Sequence, residues 1–300
     1  MRLIEMISVL LVTYNSSGVI KDCLEYLGNS NIASMLEIII VDNASTIQEW
    51  EYTIQLLDQY RCYFYNIKSM RLNENLGYAF ANNRGAEIAE GEYLLLLNPD
   101  CYVGKDAIEK CLHVLENRKD IGAVGCQLRM PNGELDLACK RSLPTLWNSA
   151  MKFSGISKLF PRIKWISGYN LTYLPEDISC EVGCICGAFL LTRTNLYWEL
   201  SGLDEVFFMY GEDIDFCKRI RDKGKLIWYE GKIISLHIKG ANGGRKTLTS
   251  KNSFYNAMII YFSKHYPNKK MTLYIINLLI NIITKYNSYI IRKNKKVDIL

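Results

Sequence analysis

Three apolar runs that stop on polar residues constrain the fold of this 300-residue chain more than anything else in it. Residues 7–14 read Ile-Ser-Val-Leu-Leu-Val-Thr-Tyr, residues 36–42 Leu-Glu-Ile-Ile-Ile-Val-Asp and residues 93–97 Tyr-Leu-Leu-Leu-Leu. Continuous apolar, β-branched segments of this length match parallel strands buried on both faces. Between them the pattern predicts a helix starting in the 15–18 turn, a helix over 47–59, a third strand near 62–67 and an Ala-rich helix over 77–89. Further on it predicts a strand at 187–192, helices at 193–200 and 212–223, and short strands at 226–229 and 233–237. Strands alternating with helices place the chain in the α/β class, with a Rossmann-like, mostly parallel mixed sheet flanked by helices. Residues 144–175 are less regular, carry Pro144, Pro161 and Pro175, and read as a substrate-facing insertion.

The polar residues fall at strand ends: Thr13 to Asn15, Asp42 to Asn43, and Asn98 to Asp100. Ligands bind at that edge of an open α/β sheet, so the three together mark a cleft. Asp100, behind Pro99, suits a hard cation that bridges phosphates; an ordinary β-turn Asp is the alternative. A second acidic site lies in Phe207-Phe208-Met209-Tyr210-Gly211-Glu212-Asp213-Ile214-Asp215-Phe216. Capping and the helix dipole account for one or two of those carboxylates. The aromatic wall beside them is a setting that raises a carboxylate pKa towards that of a general base. Glu212 and Asp213 project about 100° apart on a helix and so take different roles. His237 precedes a basic, Gly-rich segment, 239–245, suited to closing over phosphates. Neither phosphate-loop fingerprint, G-x-G-x-x-G nor G-x-x-x-x-G-K-[ST], is present.

A hydrophobic content of 49% supports a sizeable core, and residues 1–6 lead straight into the first strand with no signal-peptide pattern. Ten scattered cysteines do not form a disulfide framework, and Cys180, Cys184 and Cys186 lack zinc-site spacing. They read as reduced core thiols of a cytoplasmic protein. Residues 264–296 hold eight Lys/Arg and no acid, leaving the rest of the chain at −3 of the +5 total. Residues 271–283 are apolar but too short to span a bilayer. As a helix they would set Leu273, Ile275, Ile276, Leu279, Ile282 and Ile283 opposite a stripe of Lys270, Asn277, Asn281, Lys285 and Ser288. With Arg292, Lys293, Lys295 and Lys296 following, this predicts a basic amphipathic tail on an anionic membrane surface. The alternative is a helix docked on the protein's own body or in a homo-oligomer interface. No base-reading or stacking platform points to nucleic acid.

The segments Val9-Leu10-Leu11-Val12-Thr13-Tyr14-Asn15, Glu37 through Ser45, Asn73 through Gly85, Leu94 through Asp100, Gly187 through Leu191 and Gly202 through Asp215, closed by His237, resemble family 2 glycosyltransferases of the GT-A fold, in the rhamnosyltransferase-like branch. The resemblance covers roughly residues 5–265. It implies a GT-A domain over 1–265, with a nucleotide-sugar half to about 125 and an acceptor half beyond, followed by the tail. It also implies that Thr13, Asn15, Asp42 and Asn43 hold the nucleotide, Asp42 accepting from a pyrimidine N3–H. Asn75, Gly77, Asn83 and Asn98 would lie along the donor. Asp100, with His237 completing the shell, would bind Mg²⁺ or Mn²⁺. Asp213 would be the catalytic base and Glu212 the residue orienting the acceptor. Asn-Pro-Asp stands where many relatives carry Asp-x-Asp. Processive synthases of the family carry Gln-x-x-Arg-Trp and many spans, which are absent here. The implied reaction is a single inverting transfer, of L-rhamnose from dTDP-rhamnose, to a lipid-linked or glycan acceptor. A UDP-hexose or UDP-galactofuranose donor is the alternative. A nucleotidyltransferase would need a Gly-rich basic loop after Tyr14, and a non-catalytic binding protein would have no use for Asp213.

Overall fold

The computed structural model describes residues 6–239 and 248–268, together with 271, 273, 274, 276 and 278. The parallel half of its sheet is built from β1 (Ile7–Thr13), β2 (Leu36–Asp42), β3 (Asn66–Arg71) and β4 (Tyr93–Leu97). β2 and β4 flank β1, and β3 lies outside β2, all parallel. β2 and β4 are buried throughout, as runs without polar alternation must be when helices cover both faces. Helices α1 (Ser17–Gly28), α2 (Ile47–Tyr60) and α3 (Tyr78–Glu87) connect these strands.

The second half of the sheet is mixed in strand direction. After β5 (Cys101–Tyr102), α4 (Ala107–Asn117) and β6 (Ile121–Arg129) come three short helices, α5 (Leu146–Phe153), α6 (Ile156–Leu159) and α7 (Lys164–Ser167). Then follow β7 (Cys180–Val182), β8 (Phe189–Arg193), α8 (Thr194–Glu199), α9 (Glu212–Asp222), β9 (Leu226–His237) and α10 (Leu248–His265). β8 is antiparallel to both β4 and β6, and the strand order is β3-β2-β1-β4-β8-β6-β9-β5, with β7 on β9. One sheet therefore runs through both expected halves, and β6 straddles the division near 125. The expected α/β mixed sheet is present.

Several boundaries differ from the sequence pattern. The third strand lies at Asn66–Arg71 rather than 62–67, because residues 61–63 prolong α2 as a 3-10 turn. It is an edge strand with only Ile67 buried, so its hydrophobic signal is weak. The two short strands expected at 226–229 and 233–237 are one strand, β9, whose pairing with β6 shifts register between Cys126 and Gln127. The insertion holds three helices, and α4, β6 and α10 were not anticipated. All ten cysteines are free, and eight of them are buried. No helix among the described residues is long and apolar enough to cross a membrane.

Most of the tail, including Asn277, Asn281 and the Arg292–Lys296 cluster, lies outside the described residues, as do residues 240–245 of the Gly-rich segment. Of the expected apolar tail face, Ile276 is buried against a cluster of Phe207, Ala257, Tyr261 and Phe262, and Leu273 packs on it. Docking on the protein's own body thus holds for these two residues.

Candidate active site

The register of β1 against β2 sets Thr13 beside Asp42 at the carboxyl edge. Thr13 Oγ1 donates to Asp42 Oδ1 at 3.3 Å. Asp42, almost fully buried, also accepts from the Ser45 amide at 3.0 Å and from the Ser45 hydroxyl, and Arg71 Nε stands 3.4 Å from Oδ2. Asn15, in the left-handed region at φ 51°, donates its amide to Ser45 Oγ at 2.8 Å and accepts from the Thr46 amide at 3.0 Å. Thr13, Asn15 and Asp42 therefore converge as expected. A carboxylate has about four acceptor positions, and Asp42 has a donor near each. A base N3–H would have to exchange with Ser45 or Arg71, two residues the sequence reading did not include.

Asn43, Asn75 and Gly77 also come together. Asn43 Nδ2 donates to Asn75 Oδ1 at 2.9 Å and to the Gly77 carbonyl at 3.2 Å, while its Oδ1 accepts from the Leu76 amide at 3.1 Å. Gly77 has φ 95°, and a Cβ there would stand 2.3 Å from the Phe208 carbonyl oxygen. Only glycine fits, and the adjoining Tyr78 amide donates to that same oxygen at 2.8 Å. This contact brings the loop before α3 to the segment that leads into α9. Asn83 does not join the group. Its amide donates to the Leu203 carbonyl and Glu205, and its oxygen accepts from Tyr197 and the Leu203 amide, so it fastens the 203–205 turn instead.

Asn98 and Asp100 follow β4, with the Asn98 amide donating to the Ala188 carbonyl at 3.2 Å. The pairing of β5 with β9 sets Cys101 opposite His237. His237 Nε2 thereby comes within 3.3 Å of Asp100 Oδ1. Its Nδ1 faces Asp136 Oδ2 at 2.8 Å, and Lys239 Nζ holds the other Asp136 oxygen at 2.5 Å. Burial opposes the His237 charge, but hydrogen bonds that it donates to Asp100 and Asp136 outweigh it and push the imidazole up to about 9. Burial likewise opposes the Asp136 charge, yet His237 and Lys239 hold that carboxyl below the usual range. Among the described residues no group of three or more His, Cys, Asp or Glu is placed to hold a metal. Asp100 and His237 still form a two-donor set, one carboxylate and one imidazole oriented through its far nitrogen by Asp136, which is how proteins position histidine for a cation. A cation there would have to displace the proton that His237 Nε2 directs at Asp100 and would take its remaining ligands from a substrate.

Glu212 and Asp213 open α9 behind Gly211, which sits at φ 89°. Asp213 Oδ2 accepts from Arg141 Nη2 at 2.7 Å, and Arg141 Nη2 also donates to the Ile185 carbonyl at 3.1 Å. Arg141 Nε is buried without a partner among the described residues, and so is Glu212 Oε2. Burial, then the charge of Asp213, pushes the Glu212 carboxyl up to about 8. The aromatic wall is divided: Phe207 turns away into the cluster under α10, and Phe208 is exposed. The third carboxylate, Asp215, is engaged by Arg219, Lys264 and His265 instead. Arg141 and Asp136 went unnoticed in the sequence. Arg141 lies in a Lys-Arg-Ser-Leu-Pro run that gives no local sign of its partner 72 residues away.

Solved structures share this architecture. A mannosyltransferase from Pyrobaculum calidifontis, in complex with GDP-Man and Mn²⁺, matches with a TM-score of 0.62 at 16% identity, over 94% of this chain and 71% of that one. A 1–349 fragment of Staphylococcus aureus TarS matches with a TM-score of 0.56 at 19% identity, over 85% of this chain and 64% of that one. The fold is of the GT-A type. The profile of Glycosyl transferase family 2 matches residues 8–199, and the chain belongs to that family. Its relatives include an N-acetylglucosaminyl-diphospho-decaprenol L-rhamnosyltransferase of Mycobacterium tuberculosis, 25% identical over 86% of this chain and 84% of the relative. The rhamnosyltransferase WbbL of Escherichia coli is 24% identical over 77% and 83%.

Proposed function

We propose that this glycosyltransferase moves one L-rhamnosyl group from dTDP-rhamnose to a hydroxyl of a lipid-linked or glycan acceptor, with inversion, at the cytoplasmic face of a membrane. The observations that support the reading are two polar groups: Thr13, Asn15 and Asp42 around the carboxyl ends of β1 and β2, and Asp213 held by Arg141 at the start of α9. The Tyr78–Phe208 contact joins the loop between them to the segment before α9. Rhamnosyltransferases among the relatives support the choice of sugar.

Asp213 takes the proton of the acceptor hydroxyl as its oxygen attacks the anomeric carbon. Arg141 fixes that carboxylate, so little reorganisation remains during reaction. Glu212, with one buried oxygen unpartnered, is placed to hold the acceptor. Asn75, Gly77 and Asn98 line the donor path. Asp100 and His237 would hold Mg²⁺ or Mn²⁺, which supplies charge stabilisation for the departing diphosphate. The domain over 1–265 carries this chemistry, and the basic tail contributes membrane attachment.

A thermal-shift screen of dTDP-rhamnose against UDP- and GDP-sugars, each with Mg²⁺ or Mn²⁺, tests the donor, because a ligand that binds only the folded protein raises its melting temperature. Stabilisation by dTDP-rhamnose above the others is expected. A larger shift with a UDP-hexose would move the assignment to that donor.

A further inference from the structure

We infer that the helical insertion at 146–165 is a docking surface for an anionic bilayer, set beside the base. It exposes large apolar side chains: Trp147 at 53%, Leu159 at 75%, Phe160 at 48% and Trp165 at 63%. The two indoles stack at 5.9 Å, and Trp147 Nε1 donates to the Trp165 carbonyl at 2.8 Å, so they form one ledge bridging α5 and α7. Single exposed apolar residues are ordinary on a protein surface, but this many in so short a segment mark a contact face. The same segment carries Lys152, Lys158, Arg162 and Lys164 and no acidic residue; the next acid in the chain is Glu176.

The charge decides the occupant. A second copy of the chain would set one basic face against another, since a twofold contact pairs a patch with itself. A bilayer with anionic headgroups complements both features: tryptophans settle at the headgroup level, and lysine and arginine stems lie along apolar surface with their charges among the phosphates.

The placement adds a consequence. Asn148 Nδ2 donates to Ser142 Oγ at 2.9 Å and to the Leu143 carbonyl at 3.0 Å, which ties α5 to the segment just after Arg141. Phe153 meets Phe254 at 6.2 Å, and Phe254 meets Tyr210, two residues before Glu212, at 6.1 Å. The insertion is thereby tied to the segments that carry Arg141 and lead into Asp213. Delivery of a lipid-linked hydroxyl from that surface rests on the proposed transfer reaction; the docking itself does not.

The test is sedimentation of the full chain with phosphatidylcholine vesicles, with and without phosphatidylglycerol. Binding to the anionic vesicles at low salt, weakened by added salt, is expected. Leu159→Asp with Phe160→Asp should lower it by at least ~10-fold without moving the melting temperature, since both side chains are exposed. Neutralising Arg292, Lys293, Lys295 and Lys296 to Gln should lower it less. Undiminished binding in the Leu159/Phe160 variant overturns the proposal, as does indifference of the unaltered chain to anionic vesicles. A concentration-dependent dimer that disappears in that variant, without vesicle binding, overturns it in favour of a copy-to-copy interface. Stabilisation by dTDP-rhamnose, measured on the same proteins, is read separately: its absence with vesicle binding intact counts against the transfer reaction and leaves the surface standing.

Discussion

Arg141 Nη2 lies 2.7 Å from Asp213 Oδ2, joining the loop after β6 to the first turn of α9. Both side chains are nearly buried, at 9% and 13% exposure. Removing one member of such a pair leaves a desolvated charge behind and costs about 3–5 kcal/mol. Arg141→Ala should therefore lose stability in denaturant titration as well as turnover, and Arg141→Lys should recover part of each. An Arg141→Ala protein with unaltered unfolding midpoint and rate would show that the contact is incidental.

Asp213→Asn keeps the shape and removes the proposed base. Turnover should fall at least ~10²-fold, the lower range for a lost general base. Donor-induced thermal stabilisation should persist, because the proposed reaction assigns Asp213 to the acceptor. Near-normal turnover would take Asp213 out of the mechanism.

Asp100→Ala should weaken stabilisation by the donor with Mn²⁺ and lower activity, and chelator should do the same to the unaltered protein. Asp136→Asn, which touches no substrate in this reading, should reduce apparent metal affinity by ~10–100-fold, the usual effect of losing the partner that orients a histidine ligand. Full activity in excess EDTA would remove the cation from the reaction.

How much of this was legible depended on whether the signal was local. β1, β2 and β4 announce themselves because they are buried on both faces and nearly continuously apolar. β3 was displaced because an edge strand with one buried residue has almost no pattern. α4 did carry a readable one: Ile108, Cys111, Leu112 and Leu115 are buried at helical spacing. In the site, Asp42, Asp100 and Asp213 follow from strand ends and a helix start. Arg141 and Asp136 do not, because their partners are brought in by tertiary packing from 72 and 101 residues away. Asn83 sits in a matching segment, yet only the fold reveals that the 203–205 turn consumes its hydrogen bonds.

Glu212 makes stability depend on pH. Its folded carboxyl is raised from 4.5 to about 8, so the folded state keeps the proton that the unfolded chain releases. The contribution is complete below pH 4.5 and declines as pH rises towards 8. Glu212→Gln should flatten that slope in urea titrations between pH 5 and 8. An unchanged slope would mean that the carboxyl is already ionised when folded.

Asp215 should behave in the opposite sense. It is fully buried and accepts from Arg219 Nε, Lys264 Nζ and His265 Nε2, each at 2.7 Å, which clamps α10 onto α9. Burial opposes its charge, but His265, Arg219 and Lys264 lower the carboxyl from 3.8 to about 2. A depressed folded value gives stability that is present above pH 3.8 and lost as pH falls through 2, worth about 2 kcal/mol. Asp215→Asn should remove that contribution at neutral pH and flatten the acid limb of unfolding. Because Phe207 packs under α10 from the segment that leads into Glu212 and Asp213, the same variant should also lower turnover while leaving donor binding intact. Loss of stability without any loss of turnover would confine the clamp to holding α10 in place.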